Sequence, residues 1–552
     1  MEKCGYGNDG IYRSLRPPVY LPKNPNTSLV SFLFRNSDSY PDRIAIVDAD
    51  SGETLTFKEL QSMVVKVSNG FEKLGLKKGD VVAMLATNSA QFIVCFLGIV
   101  AIGAIATTFN PSNTATEITK QIEESEPKLI VTVDQLYEKF KGVGLPFVIL
   151  GSSDSSLSGS EFTAFSKLIE LSASDVFPGL AFAPIKQTDT ALLLYTSGTT
   201  STSKGVVLTH RNFIAASQMV TSDQDCYWEM HSVFLCCLPM FHIFGLSVIL
   251  YAQLQRGNTL VSMGKFDLQM VLRSVEKHKV TSKQSFVQNY DLSSLRVLGS
   301  GASPLGKECA RKLPQATIIQ GYGMTETCGI ISFENPYEGV RNFGSTGPLV
   351  PGVESKIVCV DTINPLPPTQ FGEIWVRGQN VMHGYLNNPK ASQLTKDNHG
   401  WVHTGDFGYF DEQGHLFVVD QIKELIKYKG IYIAPSELEG LLVSHPEILD
   451  AAVIPYPDAK ARYVVRAPNS SLNEVHVQKY VESRVAPFKR LRKVICVVSP
   501  KKRTCRQGSC WIQCQLRLHN IGISGACLCN SVSHKKNGLN KSGLLICGIN
   551  LF

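Results

Sequence analysis

A run of hydroxyl side chains with one glycine and one lysine, Tyr195-Thr-Ser-Gly-Thr-Thr-Ser-Thr-Ser-Lys204, is the segment of this chain best suited to chemistry. It follows the apolar run Ala191-Leu-Leu-Leu. A loop of this kind at the end of a strand can wrap a polyphosphate. Backbone N–H groups and hydroxyls donate to the oxygens, and the lysine neutralises charge. The spacing G-x-x-x-x-G-K-[ST] is absent, so this is not a Walker loop. A flexible Ser/Thr linker is the bland alternative. It explains neither the apolar strand before the run nor Lys204-Gly-Val-Val-Leu-Thr-His210 after it.

Three more segments are Gly321-Tyr-Gly-Met-Thr-Glu-Thr327, His403-Thr-Gly-Asp-Phe-Gly408 and Lys423-Glu-Leu-Ile-Lys-Tyr-Lys-Gly430. With the hydroxyl loop they closely resemble, in order, the phosphate loop, the second nucleotide motif, the ribose motif and the interdomain hinge of the adenylate-forming enzymes, the superfamily of acyl-CoA synthetases and luciferases. The resemblance runs from about residue 10 to about residue 500. Within the superfamily the chain is most similar to plant 4-coumarate–CoA ligase-like proteins, including the peroxisomal branch.

The resemblance implies a two-step reaction. A carboxylate cannot be attacked by a thiol until its oxygen becomes a good leaving group. ATP supplies one by forming an acyl-adenylate and expelling pyrophosphate; coenzyme A then displaces AMP. The enzyme must hold polyphosphate, ribose and carboxylate in line. By resemblance, Thr196, Ser197, Gly198, Thr199, Thr200 and Lys204 hold the phosphates. Gln320, Gly321 and Tyr322 border the adenine. Thr325 touches the α-phosphate, Glu326 holds Mg²⁺, and Asp406 binds the ribose hydroxyls. His242, in Pro-Met-Phe-His-Ile-Phe-Gly, gates the thiol path. Lys423 and Lys427 face the acyl-adenylate; Lys265, Lys429 and Gly430 contact coenzyme A. Phe244, Ala302 and Phe333 wall the acyl pocket. The 4-coumarate–CoA ligases carry a tyrosine at the position of Phe244, and its hydroxyl helps seat the substrate phenol. Phe244 offers no such bond, which points to an apolar acid such as a fatty acid or a cyclopentanone-type oxylipin over a hydroxycinnamate.

Each role competes with a structural one. A lone Glu is usually a surface charge, an Asp in Thr-Gly-Asp can cap a turn, a buried His is most often packing, and a lysine-rich stretch is commonly a solvated face.

The elements that must position these groups follow from periodicity. Ala45-Ile-Val, Asp80-Val-Val-Ala-Met-Leu and Lys128-Leu-Ile-Val-Thr read as strands. Thr56-Phe-Lys-Glu-Leu opens an amphipathic helix that stops at Gly75. Thr114-Ala-Thr-Glu opens another in capping-box style. Phe92 to Ala106 is too short for a membrane span of about 20 residues and reads as a buried helix running into a core strand. Val233 to His242 reads as a buried strand ending in a turn, residues 268–280 as a helix, and Gly347 to Gly378 as strands and turns. The expected fold is α/β: a large N-terminal adenylate-forming domain with parallel sheets and a β-barrel-like subdomain (1–420), then a small α+β lid (421–500). Pro435-Ser-Glu-Leu-Glu begins a lid helix and Ala451-Ala-Val-Ile-Pro a lid strand. The resemblance implies that the lid rotates about Asp420 between the two half-reactions.

The bulk numbers set bounds. At 552 residues the chain needs at least two cores. The net charge is +7, but residues 501–552 hold eight Lys/Arg and no acids, leaving the body at −1. No nucleic-acid partner is implied. Fifteen cysteines, six of them in that tail, fit buried free thiols in a reducing compartment better than a disulfide framework. Cys510, Cys514, Cys527 and Cys529 lack the paired knuckles of a zinc site. The N-terminus has no apolar signal core. The expected state is a monomer without a transmembrane segment, in the cytoplasm or peroxisome.

The chain also departs from its family. Ser201 replaces a loop glycine, which costs about 1–2 kcal/mol if that position needs positive φ. Gln421 replaces an arginine after the hinge aspartate, removing a permanent cation. About a dozen residues are missing after Val280 by the alternation rule, and the helix after Leu305-Gly-Lys-Glu308 looks short. Pro457-Asp-Ala-Lys-Ala-Arg-Tyr lacks a Gly-Glu turn. The family's closing Pro-Lys-x-x-x-Gly-Lys becomes Pro500-Lys-Lys-Arg-Thr-Cys-Arg506, so an arginine stands at the offset of the lysine that reaches the α-phosphate. The tail beyond is Cys-rich, basic and aperiodic. It reads as translation in a wrong frame or through an intron and is expected to be disordered. The Ser-Lys-Leu peroxisomal address is absent. Two function classes follow: an acid–CoA ligase, and a pseudoenzyme that binds nucleotide or acyl group without turnover.

Overall fold

The computed structural model describes residues 4–497 apart from 152–156, 158, 173–183, 197–202, 228–230, 279–296, 302–316, 336–341, 343, 429–430, 454–461, 467–471, 487–488 and 492–493. The region after Val280, the Pro457 segment and the tail therefore lie outside the described residues.

Apolar runs build the main sheet. Val81–Leu85, Ile105–Thr108, Leu129–Val133 and Phe147–Leu150 are nearly all buried and pair in parallel, as expected of strands covered on both faces. Phe162–Ala164 extends one edge. On the other side Ile105–Thr108 pairs with Thr190–Thr196, then come Lys204–Thr209 and the two-residue strand Gly384–Tyr385, completing eight strands. Helices cover the faces. The predicted helix from Thr56 is Phe57–Lys73, opened by a capping box of Thr56 and Glu59 that was not anticipated, and Gly75 lies just beyond it with φ +91°. The predicted box, Thr114 with Glu117, opens Ala115–Ser125. The Phe92 stretch is indeed a buried helix, Ala90–Ala101, that leads into the strand Ile105–Thr108. Close approach is built in, since a Cβ on Gly98 would lie 2.8 Å from the Val67 side chain. Among the described residues no helix is long and apolar enough to cross a membrane.

A second sheet runs Val233–Cys236, Thr259–Ser262, Ile44–Asp48, Thr54–Thr56. In a third, Thr317–Tyr322 pairs with Val297–Gly301 on one side and Ser332–Phe333 on the other. A fourth is antiparallel throughout: Tyr12–Arg13, Glu354–Val358, Gly372–Arg377, Val402–Phe410, Leu416–Gln421. After the short turn Ile422–Glu424 a separate small core begins. It gathers Ile426, Leu438, Leu442, Val477, Val481 and Val494 from a hairpin, two helices and a three-stranded sheet. Pro435 stands in the first turn of helix Pro435–Val443, where its missing N–H costs nothing.

Two expectations change. The strand read over Val233 to His242 ends at Cys236 and is only partly buried. Pro239 cannot donate to a ladder, and Asn88 takes over the pairing beyond it. Its Nδ2 donates to the Leu238 carbonyl at 2.7 Å, and its Oδ1 accepts from Met240 N–H at 2.7 Å. Of the described free cysteines, Cys4, Cys95, Cys236 and Cys328 are buried as expected, whereas Cys226 is exposed.

Candidate functional site

The hydroxyl run is the connection of a hairpin. Thr190–Thr196 and Lys204–Thr209 are antiparallel, with Lys204 directly across from Thr196. Ser203 Oγ donates to the Thr196 carbonyl at 2.9 Å, closing the loop. Ser197, Gly198, Thr199, Thr200 and Ser201 lie outside the described residues.

Lys204–Thr209 carries the two-residue strand Gly384–Tyr385 on its free edge, with Val206 across from Tyr385. Leu386 N–H donates to the Gly205 carbonyl at 2.7 Å and His383 N–H to the Val207 carbonyl at 3.0 Å. Gly205 leaves the room for this approach, since a Cβ there would lie 3.2 Å from Leu386. Tyr385 is thereby buried beside two predicted site residues. Its hydroxyl donates to Glu326 Oε1 at 2.7 Å, and Lys204 Nζ stands 5.0 Å from the centre of its ring.

Glu326 sits in the single turn Thr325–Thr327, followed by Cys328 at φ 53° and Gly329 at φ 90°. Asn380 Nδ2 holds this turn by donating to the carbonyls of Thr327 at 2.9 Å and Ile330 at 2.6 Å. Thr325 and Glu326 are both buried. Burial pushes the Glu326 carboxyl above its ordinary range; the Tyr385 hydroxyl and the Lys204 charge pull it back. Among the described residues no group of three or more His, Cys, Asp or Glu could hold a metal ion. One buried carboxylate does suit Mg²⁺, which takes much of its shell from waters and substrate phosphates.

Asp406 lies on Val402–Phe410 and accepts a 2.6 Å hydrogen bond from the Tyr322 hydroxyl. Its backbone is fixed on the same strand. Gly405 at φ 72° donates to Glu373 Oε1 at 3.1 Å, and Asp406 N–H to Thr404 Oγ1 at 3.0 Å. Burial pushes the Asp406 carboxyl up to about 7. The Tyr322 bond opposes this, while the charges of Glu326, Asp420 and Glu373 add to it. Because Glu326 reaches Asp406, and Lys204 reaches Glu326, residues of three motifs share one electrostatic neighbourhood.

Gln320 is fixed on both sides: its N–H donates to Glu334 Oε2 at 2.7 Å and its Nε2 to the Ser345 carbonyl at 3.1 Å. Gly321 pairs with Gly301 on one side and Phe333 on the other. A Cβ on Gly321 would lie 2.9 Å from the Phe333 ring, and one on Gly301 3.0 Å from the Phe244 ring. The two glycines thus make room for two aromatic rings. Ala302 lies outside the described residues.

His242 ends the segment tied by Asn88. Its Nδ1 accepts from Phe244 N–H at 3.3 Å, so a neutral ring carries its proton on Nε2. Burial pushes this imidazole down to about 4, so it is neutral near pH 7.

The lysines predicted to face the acyl-adenylate or coenzyme A stand apart. Lys427 Nζ pairs with Asp361 at 3.1 Å and with the Tyr432 hydroxyl at 3.1 Å. Lys423 lies 3.7 Å from Glu424. Lys265 is exposed. Among the described residues no hydrogen bond or ion pair joins these three to Lys204, Glu326 or Asp406. Lys429 and Gly430 lie outside the described residues.

Sequence reasoning missed Tyr385, Asn380 and Glu373. The signal available for Tyr385 was its place after Gly384 and just before the helix-start pattern Asn387-Asn388-Pro389, where Asn388 caps the helix Pro389–Thr395.

A model of the AMP-binding enzyme family matches residues 33–386, and one of the AMP-binding enzyme C-terminal domain matches 437–505. The chain is 41% identical over 525 residues to the probable CoA ligase CCL5 of Humulus lupulus, covering 91% of this chain and 95% of that one. It is 39% identical over 527 residues to the peroxisomal OPC-8:0-CoA ligase 1 of Arabidopsis thaliana, again covering 91% and 95%. Among solved structures it resembles ATP-bound MatB from Rhodopseudomonas palustris, with TM-score 0.75 and 27% identity over 86% of this chain and 96% of that one.

Proposed function

The chain belongs to the AMP-binding enzyme family, and we propose that it is an ATP-dependent carboxylate–CoA ligase working through an acyl-adenylate. The observation that carries this is geometric: Tyr385 bonds Glu326 and lies 5.0 Å from Lys204, and Tyr322, from the motif of Glu326, bonds Asp406, so three motifs far apart in the chain are joined. In this reading the loop closed by Thr196 and Lys204 takes the phosphates, with Ser197, Gly198, Thr199 and Thr200. Thr325 meets the α-phosphate, and Asp406 accepts from the ribose hydroxyls while Tyr322 fixes its carboxylate. Gln320, Gly321 and Tyr322 border the base. Glu326 would hold Mg²⁺, which when bound draws charge from the phosphates. Holding both ends of the nucleotide leaves the α-phosphorus open to an incoming carboxylate. Neutral His242 gates the thiol path, Lys423 and Lys427 face the acyl-adenylate, and Lys265, Lys429 and Gly430 contact coenzyme A, the lid turning about Asp420 between the half-reactions.

The acid we propose is apolar. Phe244 and Phe333, assigned to the acyl pocket in this reading, lie over Gly301 and Gly321, and neither ring offers a hydrogen bond. A buried phenol would be left unpaired there. The test is thioester formation across fatty, oxylipin and cinnamic acids. The expected order places apolar acids first, and Phe244→Tyr should raise the preference for 4-hydroxycinnamate over cinnamate about fivefold. A wild-type preference for the phenol would overturn the substrate reading.

One observation favours a second reading, a binding protein without turnover. Gln421 pairs across the strand from Asp406, so the position beside the candidate ribose carboxylate lacks the family's arginine. ATP binding without thioester product from any acid would support it.

A further inference from the structure

We propose that Tyr385 is a positioning residue that sets two phosphate-site groups at once, the carboxylate of Glu326 through its hydroxyl and the ammonium of Lys204 through its ring. This rests on the reading of Glu326 and Lys204 as metal- and phosphate-binding groups. Its own evidence is geometric. The hydroxyl is 2.7 Å from Glu326 Oε1, and Lys204 Nζ is 5.0 Å from the ring centre, within cation–π range. One side chain therefore contacts both a cation and an anion that must stay apart. Were the two to collapse into a direct ion pair, each would be lost to the nucleotide. Tyr385 stands between them as a spacer that satisfies both.

The ring is itself held. Strand pairing to Val206 fixes its backbone on the edge that begins at Lys204. Ser392 Oγ accepts from Tyr385 N–H at 2.8 Å, and Ser392 Oγ donates in turn to the Asn388 carbonyl at 2.9 Å. Met382 N–H donates to the Glu326 carbonyl at 2.8 Å, so the same strap grips the Glu326 backbone and side chain. Partners of this kind orient a ligating group and raise its affinity for the ion.

The two contacts separate by substitution. Tyr385→Phe removes the hydroxyl and keeps the ring; Tyr385→Leu removes both. Two affinities are read on the full chain: that of ATP in excess chelator, and that of Mn²⁺ for the protein–ATP complex by electron paramagnetic resonance. Tyr385→Phe is expected to weaken Mn²⁺ about tenfold and to leave metal-free ATP binding unchanged. Tyr385→Leu is expected to weaken Mn²⁺ similarly and metal-free ATP about two- to fivefold. Glu326→Gln and Lys204→Ala are the references. In the double variant Tyr385→Phe with Glu326→Gln, the Mn²⁺ losses should not add, because one acts through the other. If the references change neither affinity, the underlying site reading falls. If Glu326→Gln weakens Mn²⁺ and Tyr385→Phe does not, or if their losses add fully, the role given to Tyr385 is overturned while the site reading stands.

Discussion

Asp406 illustrates how one residue can carry a functional cost. Its carboxyl is pushed up to about 7, chiefly by burial. Between the ordinary carboxylate range and about pH 7 the folded protein keeps a proton that the unfolded chain has released. Stability therefore falls as pH rises through that window and is lowest above it. Asp406→Asn is expected to raise Tm more at about pH 8 than at about pH 5, and to weaken ATP binding more at the higher pH, where on the proposed reading the ionised carboxylate accepts from both ribose hydroxyls. Equal Tm shifts at the two pH values would contradict this account of the site. His242 runs in the opposite direction. Its imidazole, pushed down to about 4, contributes stability above the ordinary histidine range that is lost as pH falls toward 4.

At the scale of elements, short-range rules were legible and long-range pairings were not. Thr114 and Glu117 announced a helix start, and the structure has both halves of the box: Thr114 N–H donates to Glu117 Oε2 at 2.7 Å and Glu117 N–H to Thr114 Oγ1 at 3.3 Å. Thr114→Ala is expected to cost about 1 kcal/mol in thermal unfolding and to leave metal-free ATP binding unchanged. A loss well below this would mean the box is satisfied equally by solvent. Gly384–Tyr385, by contrast, has no period to read. It is a strand only because Lys204–Thr209, far back in the chain, offers an unpaired edge. The end of Val233–Cys236 was hidden for the same reason: Asn88 sits in a different segment, and nothing local says that its amide will cap Leu238 and Met240. Motif residues Lys204, Glu326 and Asp406 could be picked from short segments that resemble family motifs, whereas Asn380 and Glu373 act across the fold and leave no local mark, and Tyr385 leaves only its place between Gly384 and a helix start.

At the scale of the whole molecule the question is whether two units can trade positions. The small unit joins the antiparallel sheet through Ile422–Glu424, and the rings of Phe407 and Tyr432 meet across the join at 5.9 Å. Ser436 donates from N–H to Asp420 Oδ2 at 3.1 Å and from Oγ to the Val419 carbonyl at 2.7 Å. Lys427 pairs with Asp361, both more than half exposed. An exposed pair of this kind contributes about 0–1 kcal/mol, so it restrains the proposed rotation little. The proposed first step also calls for a cation at the α-phosphate; in the sequence Arg506 takes the family lysine's offset, outside the described residues. Carboxylate-dependent ATP–pyrophosphate exchange on the full chain isolates that first step from coenzyme A chemistry. The account predicts exchange that depends on an added apolar acid and is abolished by Asp406→Ala. A folded preparation that binds ATP yet shows no exchange with any fatty, oxylipin or cinnamic acid would contradict it.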